Sequence, residues 1–188
     1  MENDDVIITS AFRTAIGSLN GSLSSKTAPE LGSAVIKKCI ENSGLKKKEV
    51  DMVYMGQVLS AGVGQNPARQ ASILAGLSNE TTNTTVNQVC GSGLASIALA
   101  YNAIRCGDSN IIIAGGQESM SNAPHYIKLR KGEKINEDKI KDSMIIDGLW
   151  DVYNKYHMGM TAENVAKKFS IKREDQDKFA LNSQKKAI

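Results

Sequence analysis

Cys90 stands where the sequence changes from a strand pattern to a helix pattern. The segment 87–97 reads NQVCGSGLASI, so two glycines follow the cysteine closely and an apolar helix comes next. The free amides and the positive dipole end of a helix N-terminus stabilise an anion, which favours a thiolate and predicts a nucleophile at neutral pH. Gly91 and Gly93 permit a sharp turn and a close approach of substrate, and the Cys90 amide can donate to an oxyanion. The residue types alone also allow a second interpretation, a small buried hydrophobe before a turn.

Other residues with reactive side chains have weaker sequence contexts. Glu118 follows an apolar strand and two glycines, a position typical of a carboxylate that lines a site at the edge of an open α/β sheet. The alternative is a structural carboxylate satisfied by backbone amides in a tight turn. Cys39 and Cys106 are interpreted as packing residues, and His125 as a surface residue. Three cysteines without C-x-x-C spacing predict neither a disulfide framework nor a metal site.

Length and composition exclude several classes of protein. The 188 residues, 41% hydrophobic and 23% charged, are typical of a globular chain with one domain and part of another. The formal net charge of +3 is too small to indicate nucleic-acid binding. No apolar run approaches the roughly 20 residues of a membrane helix, and acids stand near the N-terminus where a secretory signal carries Lys or Arg. We therefore expect a cytoplasmic protein that binds neither nucleic acid nor membrane.

Charge is distributed unevenly along the chain. Residues 60–125 contain 2 basic and 3 acidic residues, whereas residues 126–188 contain 14 and 10. So few charges predict that the middle elements are covered on both faces, as an inner layer. The mixed-charge run after it is typical of an exposed excursion. These patterns predict a boundary near Asn122, with one domain over 1–121 and a second, partial domain over 122–188.

The elements around Cys90 are expected to alternate between strand and helix, which indicates parallel pairing. Strands are predicted at 6–10, 52–59, 81–89 and 111–114, and helices at 28–42, 66–74, 94–104, 161–169 and 173–187. Glycines follow the first three helices, as they commonly do, at Gly44, Gly76 and Gly107. Three residues at helical spacing are expected on the core face of the first helix: Leu31, Val35 and Cys39.

Six short sequence motifs occur in order along the chain. They are RTAIG at 13–17, GQNPARQ at 64–70, VCGSG at 89–93, AGGQESMS at 114–121, HMGMTAEN at 157–164 and REDQD at 173–177. In these motifs, which span almost its whole length, the chain resembles the thiolases. The resemblance implies an α/β fold, a thiolase-like layered α/β/α half-domain with a mixed sheet, followed by part of an inserted loop domain.

The resemblance implies an acyltransferase that acts on coenzyme A thioesters. Cys90, matched to the family's nucleophile, is expected to take an acetyl group from acetyl-CoA, and a second acetyl-CoA then supplies a carbon nucleophile to give acetoacetyl-CoA, or the reverse. Leu149 and His157 match residues that help hold coenzyme A, and Met158 matches one that lines the acyl pocket. The resemblance implies no metal and no resident cofactor, since the thioesters are substrates, and it implies a homo-oligomer.

The chain departs from the family pattern because it supplies one of two half-domains. In thiolases the active site lies between the two halves. This sequence lacks the motifs of the second half, which are Asn-Glu-Ala-Phe, Gly-His-Pro and Cys-x-Gly-Gly-Gly. One hypothesis is a truncated or split acetyltransferase that needs a complementary C-terminal half. Another is an inactive structural or interaction fragment that keeps the fold. A cysteine-dependent acyl hydrolase with His125 or His157 near Cys90 is a third, and ketoacyl synthases are the alternative family.

Overall fold

The fold is built on a parallel sheet of three strands. In the computed structural model, which describes residues 5–132 and 134–187, the strands are β1 (Met52–Gly56), β2 (Thr82–Val86) and β3 (Ile112–Gly116). Their order is β2-β1-β3, and both pairings are parallel, with Gly56 opposite Val86 on one side and Gly116 on the other. The predicted α/β alternation is confirmed, and the carboxyl ends of all three strands meet at one edge.

Three helices accompany these strands: α1 (Ala28–Ser43), α2 (Pro67–Leu74) and α3 (Ser92–Arg105). Thr27 begins α1 with a capping box that includes Glu30, and Gly44 ends it in the left-handed region at φ 71°. Asn66 caps α2, whose first position is Pro67. Proline suits that position because an N–H in the first turn of a helix has no acceptor within the helix, so no hydrogen bond is lost when proline lacks it.

The core lies between α1, α2 and one face of β1. Val53 and Met55 are fully buried there and pack with Ile36 and Ile40 of α1 and with alanines of α2. Side chains alternate across a strand, so Gly56 faces the opposite side, where it meets the first turn of α3. The layers are therefore α1 with α2, the sheet, and α3, which agrees with the expected α/β/α order.

The first predicted strand is not formed. Residues 6–10 have no strand assignment, and Ile7 and Ile8 are 74% and 79% exposed. A β-branched apolar run becomes a strand only where a neighbour supplies ladder hydrogen bonds and a surface for its side chains.

The faces that the helices bury differ from the expected ones. In α1 the buried apolar residues after Pro29 are Ile36 and Ile40, whereas the expected stripe, Leu31, Val35 and Cys39, is half-buried.

The prediction that the middle elements are covered on both faces is wrong for α3 in this chain. This helix packs by its small residues, Ser92, Ser96, Ala100 and Ala103, while Leu94 and Tyr101 remain 75% and 52% exposed.

Short elements complete the chain: antiparallel strands β4 (His125–Tyr126) and β5 (Lys141–Asp142), a π-helix (Met144–Leu149), antiparallel strands β6 (Trp150–Asp151) and β7 (Tyr156–His157), and helices α4 (Met158–Lys168) and α5 (Arg173–Ala187). The chain divides into two compact units, one ending at Gly148 and one beginning at Leu149. The domain boundary near Asn122 stays a prediction. Within the described residues, no helix has the length and apolar character needed to cross a membrane.

Candidate active site

Cys90 lies in the short turn between β2 and α3, at the carboxyl edge of the sheet. β2 ends at Val86, and α3 begins at Ser92 with Gly91 as its N-cap. The Cys90 side chain is exposed, so the alternative of a small buried hydrophobe does not hold in this chain. An accessible thiol before the N-terminus of a helix can act as a nucleophile, because the helix end favours negative charge.

The direction of the turn depends on Val89, which has φ 49°. A β-branched residue in the left-handed region is strained by roughly 1–3 kcal/mol and persists only where its surroundings fix it. The Val89 N–H donates to Asn87 Oδ1 at 3.0 Å, and the Ser92 hydroxyl donates to the Val89 carbonyl oxygen at 2.5 Å. The sharp turn was expected at Gly91 and Gly93, but neither glycine has a positive φ.

Gly56 instead allows α3 to approach the sheet closely. A Cβ on Gly56 would lie 2.6 Å from the Ser92 carbonyl carbon and 2.7 Å from the Gly93 nitrogen. A Cβ on Gly116 would lie 3.4 Å from the Gly93 Cα. Only the contacts at Gly56 are too short for a side chain, so a residue larger than glycine there would push α3, and with it Cys90, away from the strand ends.

Glu118 follows β3, and its carboxylate organises the loop after β1. Oε2 accepts from the Val58 N–H at 2.8 Å, and both carboxylate oxygens lie 3.3 Å from the Leu59 nitrogen, whose N–H donates to them. Burial raises the pKa of Glu118, and the Val58 and Leu59 amides partly oppose that effect. Of the two interpretations that the sequence leaves open, these contacts favour the carboxylate that is satisfied by backbone amides.

The same loop contacts the turn that carries Cys90. The Asn87 Nδ2 donates to the Val58 carbonyl oxygen at 3.4 Å. Contacts therefore lead from Glu118 through Val58 and Asn87 to Val89, the residue before the cysteine. Asn87 is not among the residues predicted for the site, although its residue type is a signal, since asparagine often accepts a hydrogen bond from the backbone two positions on.

The other residues predicted for the site lie at the start of the second unit. Leu149, the last residue of the π-helix, is half-buried, and Met158, the first of α4, is 42% exposed. His157 caps α4, because its Nδ1 accepts from the Gly159 N–H at 3.0 Å. In the neutral ring the proton then resides on Nε2. The roles of Cys90 and of these three residues stay predictions.

The remaining reactive side chains have other surroundings. Cys39 is half-buried in α1, whereas Cys106 is exposed at the end of α3, so the prediction that Cys106 is a packing residue is wrong. His125 is a surface residue, as predicted, and its Nε2 lies 3.8 Å from Asp142 Oδ2. In the part of the chain that the structure describes, no three His, Cys, Asp or Glu side chains come together in a group that could hold a metal ion.

The sequence matches a known family along almost its whole length. The family is described as the thiolase N-terminal domain, and the match covers residues 6–188. The chain belongs to the thiolase family. Curated relatives of this thiolase chain include the acetyl-CoA acetyltransferase of Cupriavidus necator, 58% identical over 184 residues, which are 97% of this chain and 47% of that protein.

Further relatives carry the same name. The acetyl-CoA acetyltransferase of Pseudomonas aeruginosa is 56% identical over 185 residues, 98% of this thiolase chain and 47% of that protein. That of Rhizobium meliloti is 54% identical over 187 residues, 100% of this chain and 48% of that protein. The chain thus spans about half the length of the curated relatives it matches.

Proposed function

We propose that this thiolase chain is the N-terminal half of an acetyl-CoA acetyltransferase in which Cys90 carries the acetyl group. The observation that carries the proposal is the exposed Cys90 thiol in the turn that leads into α3. The 58% identity to the acetyltransferase of Cupriavidus necator supports the choice of substrate class.

The proposed reaction has two steps at the Cys90 sulfur. The thiolate attacks the carbonyl carbon of acetyl-CoA, the bond from that carbon to the coenzyme A sulfur breaks, and coenzyme A leaves as a thiolate that takes up a proton. A second acetyl-CoA then transfers a methyl proton to a base of the complementary half, and its carbon attacks the carbonyl carbon of the acetyl group on Cys90. The bond from that carbon to the Cys90 sulfur breaks, so that acetoacetyl-CoA leaves and the thiolate is restored. The reverse sequence cleaves acetoacetyl-CoA. The Cys90 backbone amide is our candidate donor to the thioester oxyanion.

Leu149, His157 and Met158 are proposed to bind the substrate. We assign Leu149 and His157 to coenzyme A, and support for His157 comes from its ring, which uses Nδ1 within the protein and keeps the Nε2 proton for another acceptor. Met158 is assigned to the acyl pocket, where its bulk restricts the length of the acyl chain. No metal or resident cofactor takes part in this scheme.

The proposed enzyme is completed by a C-terminal half and by assembly into a homo-oligomer in the cytoplasm. Support comes from α3, which carries apolar side chains that are exposed in this chain, among them Leu94 and Tyr101. Apolar helix surfaces of this kind are usually covered in a mature assembly.

Acetylation of Cys90 tests the proposal. The purified chain is incubated with acetyl-CoA, with and without a separately expressed C-terminal half, and labelled sites are identified by intact-mass and peptide mass spectrometry. Cys90→Ser and Cys106→Ser are a matched pair, because both thiols are exposed. We expect acetyl-Cys90 in the native and Cys106→Ser chains, none in Cys90→Ser, and acetoacetyl-CoA only with the second half. Absence of acetyl-Cys90 under both conditions would overturn the proposal in favour of an inactive fragment that keeps the thiolase fold.

A further inference from the structure

We infer that Asn87 is a positioning residue for Cys90, an inference that rests on the proposed role of Cys90 as nucleophile. Asn87 directly follows β2, and its side chain is exposed. It is therefore outside the buried core, yet it contacts both the residue before the cysteine and the neighbouring loop. An exposed side chain that fixes a strained backbone can be changed without removing core packing.

The first step of the argument is the conformation of Val89. Its φ of 49° is one that a β-branched side chain rarely adopts, so this conformation has to be held by its neighbours. The Val89 N–H donates to Asn87 Oδ1 at 3.0 Å, within the ordinary range for a hydrogen bond. This bond fixes the peptide that precedes Val89, and with it the direction in which the chain enters Cys90.

The second step is the anchoring of Asn87 itself. Its Nδ2 donates to the Val58 carbonyl oxygen at 3.4 Å, a longer and weaker contact than the one made by Oδ1. The Val58 N–H is held by Glu118 Oε2 at 2.8 Å, so the acceptor belongs to a fixed loop. A carboxamide offers one acceptor and two donor hydrogens on a short side chain, which is the combination that these two contacts require.

Ser92 also holds the turn, from the other side of the Val89 peptide. Its hydroxyl donates to the Val89 carbonyl oxygen and accepts from the Gln88 N–H at 2.9 Å. Ser92 is buried against Gly56, so a change there alters packing as well as hydrogen bonding. Asn87 is the residue at which positioning can be measured separately.

The experiment measures the alkylation of Cys90 by iodoacetamide in the full chain, resolved for each cysteine by peptide mass spectrometry. Cys106 is exposed and serves as the reference thiol in the same molecule. The test variant is Asn87→Ala. Its control is Thr84→Ala, an exposed residue of β2 whose side chain makes no hydrogen bond within residues 5–132 and 134–187. We expect Asn87→Ala to lower the ratio of Cys90 to Cys106 rates about fivefold, in the range of one lost hydrogen bond, and Thr84→Ala to leave it within about twofold.

A second variant distinguishes positioning from a general loss of structure. Glycine adopts a positive φ without steric cost, so Val89→Gly removes the need for the Asn87 hydrogen bond. Adding Val89→Gly to Asn87→Ala is expected to restore the ratio to within about twofold of the native one. A loss of structure elsewhere in the turn would not be restored by this change.

The outcomes separate this inference from the proposed function. If Cys90 in the native chain reacts no faster than Cys106, its assignment as an activated nucleophile fails, and the role of Asn87 fails with it. If native Cys90 reacts faster and Asn87→Ala retains the native ratio, the proposed function stands and the positioning role is overturned. A loss of rate in Asn87→Ala that Val89→Gly does not restore also overturns the positioning role.

Discussion

The Glu118 carboxylate holds the Val58 N–H, with Oε2 2.8 Å from the Val58 nitrogen, and so joins the loop after β1 to the end of β3. The two residues are far apart in the sequence, and the contact becomes possible because β1 and β3 are parallel neighbours that end at the same edge. Burial raises the pKa of Glu118 above its ordinary value of 4.5. A contact that organises the edge of the sheet therefore has a pH dependence.

The pH dependence of stability is the first prediction. Because folding raises its pKa, Glu118 keeps its proton in the folded chain at pH values where the unfolded chain has released it. Its contribution to the free energy of unfolding is therefore full below pH 4.5 and is lost as the pH rises through the folded pKa. The free energy of unfolding of the native chain should therefore fall relative to that of Glu118→Gln as the pH rises from about 4 to about 7. Urea denaturation of both chains over this range measures the difference. A difference that stays constant with pH would contradict the prediction.

Gly56→Ala is expected to destabilise the first unit. The new Cβ would lie 2.6 Å from the Ser92 carbonyl carbon, so α3 has to move, at a cost of about 1–3 kcal/mol in the free energy of unfolding. Gly115→Ala is the matched control, because its Cβ would lie 3.7 Å from the Met55 sulfur, an ordinary contact. Denaturation midpoints of the two variants measure the effect, and equal midpoints would show that the close approach of α3 is not required.

Local signals in the sequence predict much of the fold. The capping box at Thr27, the proline that begins α2 and the left-handed glycine after α1 each act within a few residues, and the bounds of these helices are close to the predicted ones. The junction that presents Cys90 is predicted in the same way, from a strand pattern, a glycine-rich turn and an apolar helix.

The details of the site could not be predicted, because they depend on contacts between distant segments. Glycines near Cys90 suggest where a turn can bend, yet the positive φ falls on Val89, which Asn87 and Ser92 hold in place. The glycine that the close approach of α3 requires is Gly56, which lies against the Ser92–Gly93 peptide. The sequence also does not identify the buried face of α1, because the predicted stripe on one side of it is apolar as well, and only packing in the core with α2 and β1 selects Ile36 and Ile40.

Association of the isolated chain is the third prediction. The outward face of α3 exposes Leu94 and Tyr101 by 75% and 52%, and water leaves such apolar surface when two copies meet. We expect the native chain to associate, and the double change Leu94→Gln with Tyr101→Gln to lower that association. Ile135→Gln is the control, since Ile135 is 74% exposed, nearly as much as Leu94, but lies outside α3 in the charge-rich segment that follows residue 125. Sedimentation velocity measures the distribution, and a native chain that stays a single monomeric species would contradict the prediction.

Arg69 is expected to stabilise the segment that leads into β2. Its Nη1 donates to the Thr81 carbonyl oxygen at 2.9 Å and its Nη2 to that of Asn79 at 3.1 Å. Hydrogen bonds from a charged group contribute about 1.5–3 kcal/mol each, and Arg69→Met removes both, so we expect a clear loss in the free energy of unfolding.

Lys38→Met provides the comparison for Arg69. Lys38 pairs with Glu41 at 3.4 Å, but the two side chains are 58% and 65% exposed, and such surface pairs contribute about 0–1 kcal/mol. Urea denaturation of both variants should therefore show a much larger decrease for Arg69→Met. Similar decreases would mean that the two hydrogen bonds of Arg69 contribute no more to stability than an exposed ion pair. The presence of arginine in the GQNPARQ motif would then have a cause other than stability.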